Sequence, residues 1–185
     1  MKHTYFLGLA SLALAGNCAA TEKVVVSQAI SVHEALAAQE AWCKALIEIG
    51  STYEESGHEA AKALAEKVLD TSYGFQLGVV LFKPTLTVSP QTFRTARAEA
   101  LSYFVGGDPA FPDDAGFALK GWRKCEVENA AVFITGDSAT TMGKVHLTDK
   151  EGSVTSVDKT WKFVKDDAGK LRIVVHHSSL EHSED

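Results

Sequence analysis

The sequence predicts an α+β domain, on three observations. Helical periodicity fills the first part of the chain, extended segments fill the last third, and turns of hairpin length join those segments. Helices first and a strand meander afterwards is the order expected of one curved, mostly antiparallel sheet wrapped around N-terminal helices.

The first helix opens at Ser31-Val-His-Glu34, where a serine hydroxyl and a glutamate three residues on satisfy each other's backbone amides. Ala38, Trp42, Ala45, Leu46 and Ile49 then recur at helical spacing, which predicts a helix over Val32 to Ile49 stopped by Gly50. A second helix is expected through the alanine-rich stretch to Asp70, with Ser56 and Glu59 as a possible start inside it. From Phe75 to Val88 the texture turns to Val, Leu, Phe and Thr, interrupted by Pro84. That reads as one strand, or as two short extended pieces bent at the proline.

Ser89-Pro90 has the form of an N-cap followed by proline, and predicts a third helix carrying Phe93, Ala96, Ala100 and Tyr103 to a stop at Gly106-Gly107. A loop follows over Asp108 to Gly116. Four strands are expected after it: Trp122 to Ile134, Thr140 to Thr148, Ser153 to Val164 and Leu171 to Ser179. Asp149-Lys-Glu-Gly152 and Asp166-Asp-Ala-Gly169 are the turns between the later ones.

Residues 1–20 have the layout of a secretory signal: Lys2, an apolar run from Tyr5 to Ala15, then small residues to Ala20. The run is too short to span a bilayer. The expected product is a periplasmic or secreted protein, off the membrane after cleavage, with residues 21–185 as one domain. Loss of Lys2 takes the net charge from −6 to −7, and a mixed acidic surface of this kind argues against nucleic acid as a partner. Cys43 and Cys125 remain; an oxidising compartment permits their pairing, and two buried thiols fit the sequence equally well. Neither stands in the basic surroundings of a nucleophilic cysteine.

The last predicted strand ends in Val174-Val-His-His-Ser-Ser-Leu180. Alternation of side chains puts Leu171, Ile173, Val175, His177 and Ser179 on one face, and Arg172, Val174, His176, Ser178 and Leu180 on the other. The first set is apolar until its last two members, so His177 and Ser179 are expected to continue the buried face; a single-residue bulge reverses the assignment. Adjacent histidines on opposite faces do not share one ion, and no His-x-His, His-Glu-x-x-His or Cys-x-x-Cys occurs. His33, His58, His146 and His182 are scattered and read as ordinary surface or helix residues.

Taken together, Leu81-Phe-Lys-Pro-Thr85, Ala100-Leu-Ser-Tyr-Phe-Val-Gly-Gly-Asp108, Gly116-Phe-Ala-Leu-Lys-Gly-Trp122 and Val174–Leu180 resemble the iota-class carbonic anhydrases. That family is related in fold to the association domain of calcium/calmodulin-dependent kinase II. The resemblance covers roughly Thr71 to Leu180; Glu181 stands where family members often carry proline. It implies a cone-shaped fold of the nuclear-transport-factor-2 type, usually a homodimer, with a cavity that holds bicarbonate. Carried over by motif, the cavity residues are Thr85, Tyr103, His177 and Ser179, with His176 and Ser178 on the alternative parity. Family members are described both without metal and with zinc or manganese; in the absence of a convincing ligand set, the expectation here is a metal-free enzyme with no cofactor.

Carbon dioxide hydration needs a base for the proton leaving water, donors for the forming bicarbonate, and a dry place for the gas. His177 has a reference pKa near neutrality and is the expected base. Thr85, Ser179 and Tyr103 are the expected donors. Phe82, Leu86 and Phe104 are expected walls, although core packing explains those three equally. Two other functions suit the same fold: a non-catalytic ligand-binding or oligomerisation module, and an isomerase or dehydratase with a carboxylate deep in its cavity. The candidates for that carboxylate are Glu126, Glu128 and Asp158.

Overall fold

The computed structural model describes residues 28–182. The predicted signal segment and its cleavage point lie outside the described residues. Helix α1 spans Val32–Ser56 and begins with the expected box: Ser31 Oγ accepts from the Glu34 amide, and the Glu34 carboxylate accepts from the Ser31 amide. It runs past Gly50 because that residue is a packing position: a β-carbon there would sit 2.8 Å from the Ala118 carbonyl oxygen. Gly57, at φ +82°, ends the helix, and α2 follows at His58–Ser72.

The proline-broken region forms one short strand, β1, at Leu81–Lys83. The third helix, α3, is Arg97–Val105, and so starts well after the Ser-Pro signal. The segment before it is held by Arg94, whose amide donates to the Phe82 carbonyl (3.0 Å) and whose side chain is buried against Asp114. Tertiary anchoring thus overrides the local start signal, and the Glu99 carboxylate caps the true start by accepting from the Ala96 amide. A 3₁₀ turn at Phe117–Leu119 leads into β2 (Trp122–Thr135), β3 (Ser138–Asp149), β4 (Val154–Lys165) and β5 (Leu171–Leu180).

The sheet order is β1-β5-β4-β3-β2, with β1 parallel to β5 and the other pairs antiparallel. One face is buried against the helices around Trp42, Leu46, Leu69, Tyr73, Phe82, Phe104, Trp161 and Phe163. A disulfide joins Cys43 of α1 to Cys125 of β2 with the Cα atoms 5.4 Å apart, which answers the question the sequence left open.

Register fixes what points inward. Phe163 pairs with Ile173 and Lys162 with Val175, so Val174 is an extra residue in β5. Ile173 faces in; beyond the bulge His176 and Ser178 face in, at 2 % and 1 % exposure, while His177 is exposed and Ser179 half-buried. The expected parity of His177 and Ser179 is therefore reversed. The physical reason is the one residue that the ladder skips.

Candidate active site

Three hydroxyls meet where β1, α3 and β5 come together. Thr85, just beyond Pro84, donates from its hydroxyl to Ser178 Oγ at 2.6 Å. Tyr103, on the buried side of α3, receives the Leu86 amide at its hydroxyl (3.4 Å), with the Thr85 hydroxyl and amide beside it. Burial pushes the Tyr103 phenol up, so it stays protonated and remains a donor at any physiological pH. A cavity of about 180 Å³, lined by Leu86, Tyr103, Asp114, Gly116, Phe117 and Lys120 among others, adjoins this cluster.

A larger hollow of about 800 Å³ lies between α1 and β2 beside the disulfide. Its lining carries Glu40, Lys44 and Glu48 and none of the convergent hydroxyls or imidazoles, so it does not offer the groups this chemistry needs.

His176 lies two residues before Ser178 on the same face, and its ring is 4.3 Å from Phe82 and 6.5 Å from Phe104, centroid to centroid. Both ring nitrogens have partners. Nδ1 shares a proton with the Tyr73 hydroxyl at 2.8 Å, and that hydroxyl accepts from Trp42 Nε1–H at 3.0 Å. Nε2 meets the amine of Lys159. Lys159 is 4 % exposed, with its Nζ 4.4 Å from the Trp42 ring centroid and 5.0 Å from that of Trp161. Burial holds Lys159 far below the usual lysine range, and burial and Lys159 hold His176 far below the usual histidine range. Trp161 Nε1–H is buried without a partner among the described residues.

Of the sequence-predicted residues, Thr85, Tyr103, His176, Ser178, Phe82 and Phe104 come to one region; His177 and Ser179 lie on the far side of the strand. Exposed Leu86 borders the small cavity. Glu126, Glu128 and Asp158 all point to solvent. Asp114, the one buried carboxylate among the described residues, is committed to Arg94 and to the Ser102 hydroxyl. Among the described residues, then, no buried carboxylate is left uncommitted for the acid–base work of an isomerase or dehydratase. Sequence reasoning assigned Tyr73 and Lys159 no role and Trp42 only a place on the apolar face of the first helix. Only Lys159 left a trace: it interrupts the apolar alternation Val157, Trp161, Phe163 on β4.

Fold and site together define a cone-type α+β protein with a buried hydroxyl and imidazole lining. Residues 33–180 match the family model of the metal-independent carbonic anhydrases. A curated metal-independent carbonic anhydrase of Nostoc sp. (strain PCC 7120) is 62 % identical over 160 residues, 86 % of this chain and 78 % of that protein. The crystal structure of an iota-carbonic anhydrase from a cyanobacterium, complexed with bicarbonate, superposes with a TM-score of 0.87 at 61 % identity, covering 89 % of this chain and all of that one. A putative calcium/calmodulin-dependent protein kinase II association domain from Xanthomonas campestris gives a TM-score of 0.51 at 26 % identity, over 87 % of this chain and 95 % of its own. This chain belongs to the metal-independent carbonic anhydrase family. It is an enzyme of that class, and its chemistry requires no cofactor.

Proposed function

We propose that the hydroxyl cluster of Thr85, Tyr103 and Ser178 is where this chain interconverts carbon dioxide and bicarbonate, with His176 as the route by which the proton leaves. The observation that carries this is the 2.6 Å contact of Thr85 with Ser178, beside the Tyr103 hydroxyl and one strand step from a neutral imidazole. The bicarbonate in the cyanobacterial relative supports the substrate.

In the forward direction, water attacks the carbon of carbon dioxide. One O–C bond forms, one C=O π bond yields its electrons to oxygen, and water loses a proton. The three hydroxyls are fixed donors and acceptors around the oxygens where charge grows, with no solvent reorganisation needed at the moment of reaction. Phe82, Phe104 and Phe117 keep their surroundings apolar, which strengthens each of those hydrogen bonds.

Stopped-flow hydration by the purified protein tests the reading. Thr85→Val, Tyr103→Phe and Ser178→Ala should each lower kcat by about 10²–10³, the usual cost of one preorganised donor. Unchanged rates in all three would overturn it.

Export and a homodimeric state belong to the same proposal. The N-terminal pattern and the Cys43–Cys125 bond, chemistry suited to an oxidising compartment, support export. Phe133 and Met142, exposed on the outer sheet face at 69 % and 59 %, are side chains that a second copy would cover. Mass spectrometry of the exported chain and light scattering test these two points.

A further inference from the structure

Lys159 sits at an unusual place for a lysine. Its Cα is paired with Ser178 across β4 and β5, so its stem starts beside the hydroxyl cluster, and its amine reaches the imidazole of His176. Among the described residues no carboxylate pairs with it. The titratable groups around the pair are Tyr73 from the end of α2, Tyr103 from α3, Lys83 from β1, and His177 and Asp158 on the outer side of β5 and β4. None of these neutralises an ammonium at that point, and the indole faces of Trp42 and Trp161 lie over the amine.

The hydrogen-bond chain indicates which proton is where. Trp42 Nε1–H fills one lone pair of the Tyr73 oxygen, so the tyrosine hydroxyl has its own proton to give, and His176 Nδ1 is its acceptor. A neutral imidazole with Nδ1 accepting carries its proton on Nε2, which then donates to the lone pair of an uncharged Lys159 amine. The tyrosine and imidazole protons then each have an acceptor. The opposite assignment, an ammonium donating to Nε2, turns Nδ1–H toward Tyr73 and leaves the tyrosine proton with no acceptor in the chain.

Resting on the carbon dioxide reading of the pocket, we propose that Lys159 is a positioning and proton-storing residue for the reaction. The proton taken from water comes to rest on its amine after passing through His176. The step balances as follows: the water-derived proton binds the Tyr73 oxygen as the tyrosine's own proton passes to Nδ1, the Nε2–H bond breaks, and an N–H bond forms on Lys159. The imidazole ends neutral as its other tautomer, and the charge sits between the faces of Trp42 and Trp161, an arrangement that favours a desolvated cation. Solvent collects the proton by the reverse path, giving the net reaction of water and carbon dioxide to bicarbonate and a proton. The low proton affinity of the buried amine suits a group that must be uncharged before each turnover.

The test uses the intact enzyme and two variants. In wild-type protein labelled with ¹⁵N-lysine, Lys159 should show a neutral-amine signal at pH 8, and protonation on acidification should coincide with a change at His176 Nε2. An ammonium signal persisting above pH 9 would overturn the proposal. Lys159→Met should lower kcat at least tenfold and move the acid limb of the kcat–pH profile, whereas a lysine that only packs would scale the profile without moving it. Lys159→Arg keeps the cation but cannot release it, and should not restore the rate. If Thr85→Val and Ser178→Ala abolish hydration while Lys159→Met keeps the wild-type rate and profile, this inference falls and the pocket stands. If none of the three lowers hydration, the pocket reading itself falls.

Discussion

Replacing Asp114 by alanine strands a buried cation. Arg94 and Asp114 are 2 % and 8 % exposed, and their contact is bidentate: Nε to one carboxylate oxygen at 3.1 Å and NH2 to the other at 2.7 Å. NH1 donates to the Gln91 and Phe93 carbonyls, and the guanidinium lies 4.4 Å from the Phe111 ring centroid. Asp114→Ala leaves two donors and a full charge in place with no counter-charge, a change that costs about 3–5 kcal/mol. It also releases the Ser102 hydroxyl, for about 1 kcal/mol more. Against the 5–15 kcal/mol that typically separates folded from unfolded, a loss of about 4–6 is severe. Arg94→Met combined with Asp114→Leu should recover most of it, because the desolvation penalty leaves together with the attraction. Urea unfolding followed by tryptophan fluorescence measures all three proteins. A loss under about 1 kcal/mol for Asp114→Ala, or a double variant no more stable than Asp114→Ala, would refute the argument. Since Ser102 precedes Tyr103 on α3, hydration by the folded fraction of Asp114→Ala should fall as well.

Four further outcomes follow. His176→Ala should lower kcat by about 10² or more, while His177→Ala, outside the bulge, should cost less than tenfold; the reverse order in stopped-flow assays would restore the simple alternation of β5. Tyr73→Phe leaves Trp42 Nε1 and His176 Nδ1 unpaired and should destabilise by about 2–4 kcal/mol in denaturant melts. Lys159 and His176 bind protons less readily folded than unfolded, so the unfolded chain takes up more protons as pH falls. Stability should therefore rise with pH up to about 6.5 on account of His176 and up to about 10.4 on account of Lys159, and Lys159→Met should flatten the slope just below the lysine value, which is at most about 1.4 kcal/mol per pH unit; equal slopes for wild type and variant in urea titrations at several pH values would contradict this. Reducing Cys43–Cys125, which closes a sequence separation of 82 residues, should lower stability by about 4.5 kcal/mol on the loop-entropy account, read as a shift in urea midpoint with and without reductant.

Much of the site was legible because its parts are local. Thr85 follows a proline that ends a short strand, Tyr103 lies on the buried side of a nine-residue helix, and the histidine-serine run ends the last strand. Their sharing of one cavity was implied by the resemblance of these motifs to the iota-class carbonic anhydrases. Two expectations failed for one kind of reason: Gly50 does not end α1 and Ser89-Pro90 does not open α3. In each case a contact distant in sequence, with Ala118 and with Asp114, decides against the local signal.

The sequence by itself determined the kinds and order of elements, the capped start of α1 and the set of polar residues that could line a cavity. The elements and the cap follow from backbone preferences and side-chain periodicity, which act over a few residues, and the polar set from the family resemblance of the motifs that carry it. Tertiary structure alone decided which of two adjacent histidines turns inward, since one bulged residue, Val174, reverses every side chain beyond it. It alone also placed Lys159 against His176 between two indoles. A lysine's charge state depends on what surrounds its amine, and here Trp42, 117 positions before it, supplies part of that surrounding.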